Sequence, residues 1–538
     1  MPQSMSEYAE ASVQARKIAQ EFDVGSDQLC RVMRHFVQMM RDGLINRRAY
    51  QLPSYVKTVP TGTEKGRFLA VDLGGSNCRI CLVDLHGDAT FTVIRNKHTV
   101  PAEARINQSY KHVFSFVADR IADFLKTHVD LGPGETQRYQ LGFTFSFTYE
   151  QTSLAQGTLI RWDKGWDIPD AVGQDPCAML QEAIDDLGLP VQVSALANDS
   201  VGTLLTRAYT SGQGRSTLGA VIFGTGTNAA YIEKLPNIKR IETNREAGGI
   251  MVINTEWGCF DEELKVLPSN QYDHELDANS GDSGSQMFEK HVSGMYLGEL
   301  LRLAILQLHR EGAIQTHFND GSCLFQKGGI DSSFLSRLAG NDARNPELAS
   351  AIVTDTLMAE NVTAADVQSV QIVAAAIARR AARLAGASLA AIIVQSGRLG
   401  TAPSSGKLSN FRVQEYGTPI EAGRPFVSKF QRLFGSLRLL RRVLAFLGMG
   451  IVISVRPPLE SPEPVTNPVD SPEEAIIDIG ADGSLIEFHP TFEMDMRAAM
   501  REIPEIGPDG EKRIRIGLAK DGSGVGAALM AQTALQEK

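Results

Sequence analysis

The stretch that most constrains this chain is residues 68–83, FLAVDLGGSNCRICLV, two short apolar runs folded back on each other around Asp72, Gly74, Gly75, Ser76 and Asn77. A turn of this composition suits an oxyanion. Glycine has no Cβ and tolerates positive φ, so successive backbone N–H groups can converge on a phosphate. Ser76 and Asn77 add side-chain donors, and Asp72 is placed to position a cation or its waters. A glycine-rich hairpin tip also serves as a plain turn. A second stretch favours the phosphate reading: VIFGTGTNAAY, residues 221–231, repeats the design with Gly224, Thr225, Gly226, Thr227 and Asn228 after another apolar run. Two such turns are much harder to obtain by accident than one.

At 538 residues the chain exceeds what one hydrophobic core usually serves, so two lobes are expected. With 43% apolar and 22% charged residues it has the composition of a globular enzyme. A formal charge of -10 argues against nucleic acid as the main partner, since neutralising phosphates needs a basic field. The N-terminal residues include Glu7 and Glu10 and no apolar run, which reads as a cytoplasmic protein without a secretory signal. Six cysteines in so long a chain are no disulfide framework, and Cys78 and Cys81 fall in a predicted strand, where residues three apart face opposite ways. A zinc or redox pair is not expected there.

In chain order, residues 6–46 read as two helices broken at FDVGSD, the second carrying Leu29, Val32, Met33, Phe36, Met39 and Met40 on one face, with Asp27 able to cap its start. Strand-like FTVIR and a helix over 110–127 follow the first glycine turn, as in an α/β lobe. LGFTFSF is another strand, expected to end in a polar loop with Ser146, Thr148 and Gln151. RWDKGWDIP sets Lys164 between Trp162 and Trp166, either a surface loop with aromatic anchors or a lid that orders over a polar ligand. VSALANDSVGTLL delivers Asn198 and Asp199 to a strand end, where a carboxylate can take a proton from a hydroxyl or, equally, cap the next helix.

FLAVDLGGSN, LGFTFSF, LIRWDKGW, LANDSVGTL, FGTGTNAAY, VINTEWGCF, QMFEKHVSGMYLGEL, ADGSLIEFHP and GLAKDGSGVGAAL occur here in the order and approximate spacing of the eukaryotic hexokinases, especially the fungal hexokinases and glucokinases. The resemblance covers residues 10–530, with one interruption. It implies an α/β chain of the two-lobed, actin-like and ribonuclease-H-like type, with a small lobe over 68–202 and a large lobe over 1–67 and 203–538, whose last helix packs on the small lobe. It implies ATP-dependent phosphorylation of a glucose-like hexose at the 6-hydroxyl, with Asp199 as general base and Ser146, Lys164, Asn198, Asn228, Glu256 and Glu289 around the sugar. The nucleotide side would draw on Asp72, Gly74, Gly75, Ser76, Asn77, Thr225, Gly226, Thr227, Gly483, Ser484, Asp521, Gly522, Ser523 and Gly524. Mg2+ would be carried by ATP, with Asp72 acting through water and no direct protein ligand.

Several residues depart from the family pattern. Asp163 stands where Thr is usual before the loop lysine, Thr148 where Pro is usual, and Ser283 and Ser285 where Pro and Gln are usual. The departures raise a second expectation, a catalytically weak hexokinase-like regulator that senses sugar. The interruption is residues 398–471, expected to be a loosely ordered insertion ending in a proline-rich acidic linker. Its apolar run is too short to span a bilayer, and membrane contact through 433–455 is a further expectation.

Overall fold

The computed structural model describes residues 12–129, 138–162, 165–212, 216–242, 248–340, 345–399, 451–455 (backbone) and 476–536. The chain divides into two compact units, one built from Met1–Lys57, Ser216–Thr401 and Ile476–Lys520 and the other from Thr58–Arg215, Ala402–Ala475 and Asp521–Lys538. The second of these runs wider than the 68–202 suggested by the sequence, and the final helix belongs to it.

The chain enters the first unit through a helix over 12–20 and α1 (Ser26–Ile45), whose buried stripe is Leu29, Val32, Met33, Phe36 and Met40. Asp27 does not cap α1 as expected. The helix begins two residues earlier than such a cap would place it, with Gly25 at the cap, so Asp27 lies in the first turn, where a negative charge complements the helix dipole.

The second unit follows with β1 (Lys65–Leu73), β2 (Asn77–His86), β3 (Phe91–Thr99), α2 (Lys111–His128), β4 (Tyr139–Phe145), β5 (Thr148–Ser153), β6 (Gln156–Arg161), β7 (Val191–Ala197) and α3 (Asp199–Ser211). β1, β2 and β3 form an antiparallel meander, and β4 and β7 continue the sheet in parallel from β1. Val113, Phe114, Val117, Ile121 and Phe124 of α2 pack with Leu69, Val71, Ile80 and Phe143 of the sheet. Thr148 and Gln151, expected in a loop, lie in the β5–β6 hairpin instead. Thr and Tyr favour extended backbone, and Gln151 is buried because its amide donates to the Leu154 and Leu196 carbonyls at 3.2 and 3.1 Å.

Returning to the first unit, the chain forms β8 (Thr217–Phe223), β9 (Thr227–Lys234), β10 (Ile250–Asn254), α4 (Gln271–Ala278), α5 (Met287–Val292), α6 (Gly294–Arg310) and α7 (Ala364–Ser396). β11 (Ile451–Val455) then joins the second unit's sheet, and β12 (Ile477–Asp482) and β13 (Ile514–Leu518) complete the first unit's. β8, β9 and β10 are an antiparallel meander, with β12 and β13 added in parallel from β8. The two units therefore repeat one plan, and each glycine turn falls at the same place in it, between the first two strands. α7 is buried for most of its length, and its Arg380 meets Asp273 of α4 through two hydrogen bonds of 2.6 and 2.7 Å.

α8 (Gly522–Gln536) closes the second unit against α3 and the sheet. The approach depends on glycine: a Cβ on Gly526 would lie 2.1 Å from Gly202 Cα, and one on Gly142 would lie 2.0 Å from the Ala527 carbonyl.

Of the 398–471 interruption, β11 pairs antiparallel with β3, from Ile451 opposite Arg95 to Val455 opposite Phe91. Residues 400–450 and 456–475 lie outside the described residues, and with them most of the apolar run. Among the described residues no helix is long and apolar enough to cross a membrane.

Candidate active site

In the second unit, the β1–β2 turn is closed by the Gly74 N–H on the Asn77 carbonyl at 3.0 Å. Gly74 and Gly75 do not take left-handed φ. Asp72 is nearly buried at the end of β1, where Oδ2 accepts from Arg79 Nη1 at 2.7 Å and from Ser523 Oγ at 2.9 Å. Arg95 pairs with Asp521. Asp72, Arg79, Cys81, Arg95, Asp521 and Ser523 thus line one small recess. The Ser146 N–H donates to the Leu73 carbonyl at 3.2 Å, which joins the end of β4 to the same turn.

Cys78 and Cys81 are both buried, one in the core beside α2 and the other against Gly524 of α8. Burial pushes both thiols up, Cys81 to about 12, so neither is primed as a thiolate.

Of the two readings of the NDS segment, the structure shows the helix cap. Asn198 is the N-cap of α3, its Oδ1 accepting from Ser200 N and Oγ at 2.9 and 2.6 Å. Asp199 follows as the first helical residue, with Oδ1 accepting from Ser200 N at 2.8 Å. Negative charge is favoured at a helix N-terminus. α3 also reaches the start of α8, because Thr206 Oγ1 donates to the Gly522 carbonyl at 3.1 Å. Thr144 Oγ1 donates to the Ser523 carbonyl at 3.0 Å. Asp72, Asp199 and Ser523 are therefore carried by mutually braced elements. Lys164 and Asp163 lie outside the described residues.

The first unit carries the other cluster. Glu289 of α5 accepts from the Thr227 N–H at 2.9 Å, and a Cβ on Gly226 would lie 2.8 Å from Glu289 Oε2. A side chain on Gly226 would oblige the Glu289 carboxylate to shift. Asn228 Nδ2 donates to Asn254 Oδ1 at 2.9 Å, and Asn254 Nδ2 donates to Glu256 Oε1 at 2.8 Å. Asn254 was not singled out from the sequence, although it ends β10 two residues before Glu256 in a motif already recognised. Gly483 precedes Ser484 at φ 109° with no room for a Cβ beside the Phe223 carbonyl, which sets it against the second glycine turn. The Gly294 and Met295 N–H groups donate to the Gly224 and Thr225 carbonyls at 2.8 and 3.0 Å, so α6 also abuts that turn.

The departures before Glu289 are accommodated. Ser283 Oγ donates to Asp277 Oδ2 at 3.1 Å, and the buried Lys290 ammonium holds Asp277 at 2.7 Å and the Asp282 carbonyl at 2.8 Å. Among the described residues no group of three or more His, Cys, Asp or Glu side chains stands together that could hold a metal.

Family models for hexokinase match residues 14–209 and 218–533. The chain belongs to the hexokinase family. This hexokinase is 40% identical to a glucokinase of Aspergillus niger, over 98% of this chain and 97% of that one, and 32% identical to hexokinase-2 of Schizosaccharomyces pombe, over 97% of each. The structure of a Schistosoma mansoni hexokinase complexed with glucose superposes with a TM-score of 0.72 at 28% identity, covering 98% of this chain and 99% of that one. The fold is the two-lobed, actin-like α/β type of the hexokinases, and the protein is an ATP-dependent hexose kinase.

Proposed function

We propose that this hexokinase phosphorylates glucose at the 6-hydroxyl, with Asp199 taking the hydroxyl proton as the oxygen attacks the γ-phosphorus of ATP. The observation that carries the assignment is the setting of Asp199: a carboxylate at the N-terminus of α3, beside the cap Asn198, on a helix hydrogen-bonded to the start of α8. A general base must hold one position relative to donor and acceptor, and a strand-to-helix junction braced from a second helix supplies that rigidity. The preference for glucose is supported by the A. niger relative named a glucokinase and by the glucose complex of the S. mansoni enzyme.

Ser146, Lys164 and Asn198, with Asn228, Glu256 and Glu289, would bind the sugar, whose adjacent hydroxyls call for groups that both donate and accept. Asp72, Gly74, Gly75, Ser76 and Asn77, with Thr225, Gly226, Thr227, Gly483, Ser484, Asp521, Gly522, Ser523 and Gly524, would meet the nucleotide. The donor set fits a phosphate-borne Mg2+: one carboxylate, Asp72, is on hand for the ion's water, and Arg79 and Ser523 already hold that carboxylate in place. Bound there, Mg2+ would offset phosphate charge. Six cysteines without a disulfide suit the reducing cytoplasm.

Coupled-assay kinetics on Asp199→Ala test the reading. Loss of the base should lower kcat by about 10²–10⁴ while glucose still binds calorimetrically. A variant that turns over glucose at the wild-type rate would remove Asp199 from the role.

A further inference from the structure

We infer that Trp166 is a positioning residue for the phosphate turn, acting through the peptide plane between Gly75 and Ser76. Trp166 is nearly buried, and its indole N–H donates to the Gly75 carbonyl at 2.6 Å. Its ring is fixed from several sides. It stacks on Trp162 at 5.1 Å between centroids and 20° between planes, and it meets Phe147 at 4.8 Å. The next residue is tied down through its backbone, with the Asp167 N–H on the Arg105 carbonyl at 2.9 Å and the Asn107 N–H on the Asp167 carbonyl at 3.0 Å.

In a trans peptide the carbonyl and the following N–H point in opposite directions. Holding the Gly75 carbonyl therefore also fixes the direction of the Ser76 N–H, one of the donors assigned above to the nucleotide phosphates. The neighbouring carbonyls are held in the same way. The Val100 N–H takes the Ser76 carbonyl and the Gly74 N–H takes the Asn77 carbonyl, each at 3.0 Å. Three successive carbonyl dipoles, which would repel an anion, are each engaged by a protein donor. Of those three donors, only the Trp166 indole is a side chain. A phenyl ring in its place would keep the stacking and leave the Gly75 carbonyl without this donor.

This inference rests on the assignment of the turn to nucleotide, and its test separates the two. Binding of the Mg2+ complex of a non-hydrolysable ATP analogue to the full-length protein is measured by calorimetry for the wild type, Trp166→Phe and Trp162→Phe. In Trp166→Phe the analogue Kd should rise about five-fold, the worth of one such hydrogen bond, with glucose Kd within about two-fold and the MgATP KM rising in step. Trp162→Phe loses a bond to the Ile168 carbonyl rather than to the turn, so its analogue Kd should stay within about two-fold. An unchanged analogue Kd in Trp166→Phe overturns the inference. So does an equal rise for glucose, an equal rise in Trp162→Phe, or a wild type that does not bind the analogue. Should Trp166→Phe fail to fold, benzothienylalanine at position 166 keeps the bicyclic ring, removes only the donor and is read by the same outcomes. A wild type that binds the analogue but forms no ADP with glucose would refute the proposed function and leave this inference standing.

Discussion

At Glu256 the backbone takes φ 47° and ψ 42°, a left-handed conformation that costs a residue with a Cβ roughly 1 kcal/mol. It leaves the carboxylate on Asn254, which is in turn held by Asn228. This chain of amides predicts an order of defects. Asn254→Ala removes a hydrogen bond to a charged group, worth about 1.5–3 kcal/mol, so the glucose KM should rise at least about ten-fold with kcat nearly unchanged. Asn254→Asp sets a second negative charge beside Glu256 and should be worse still, and steady-state kinetics on both variants check the ranking. At this scale the sequence was informative where the chain delivers a residue by its own local geometry. Asn198 and Asp199 follow an apolar strand directly, so both their capping role and their candidate chemistry could be read. Asn254 and Trp166 matter through partners 26 and 91 residues away, and no local pattern reports such partners. The phosphate-turn glycines were read for both positive φ and the missing Cβ, and Gly74 and Gly75 do not use the first. At Gly226 the missing Cβ leaves room for the Glu289 carboxylate where it stands.

Among the elements, the loop between α4 and α5 is organised around one buried cation. Lys290 holds the Asp277 carboxylate and the Asp282 carbonyl, and Asp277 also accepts from Gly284 N and Ser283 Oγ. Burial alone would raise the Asp277 carboxyl, but the hydrogen bond from Lys290, with the Gly284 N–H, the Lys290 charge and Ser283, brings it below its ordinary 3.8. Lys290→Met leaves the two acidic residues facing each other and should cost about 3 kcal/mol, the low end for a broken buried pair because Asp277 keeps one edge in water. That corresponds to a fall in Tm of roughly 3–5 °C. The sign of the pH dependence follows from the lowered carboxyl: its stabilisation is complete above the unfolded value and is lost as pH falls through the folded one. The gap in Tm between wild type and Lys290→Met should therefore narrow as the pH drops below 3.8, and melts from pH 7 to pH 3 would show it. Most elements were visible in the sequence because their apolar periodicity is strong, as in α1 and α2. The β5–β6 hairpin was not, because TYEQTSLAQGTLIR is polar enough to read as a loop and turns at Leu154–Ala155 without the usual Gly or Asn.

For the whole molecule, the repeated glycine turn announced a repeated architecture: two meanders, each continued by two parallel strands, with the turns in corresponding places. What the sequence could not give was the location of IVISV, since a five-residue apolar strand carries no record of the edge it joins. Its pairing with β3 makes residues 451–455 an edge strand of the second unit's sheet. An uncovered edge strand offers unpaired N–H and C=O groups to a neighbouring molecule, and charged residues on it, here Arg95 and Lys97, blunt that tendency only in part. Deleting residues 400–475 while retaining Arg398, which is anchored to Ser216, removes none of the residues assigned to sugar or nucleotide. The shortened protein should keep kcat/KM for glucose within about three-fold, since no transition-state contact is lost, yet self-associate increasingly with concentration. Sedimentation velocity beside the kinetic assay reads both arms. A shortened protein that stays monomeric at every concentration would mean that β3 needs no cover, and one that loses turnover would mean that the segment supports the site as well as the sheet.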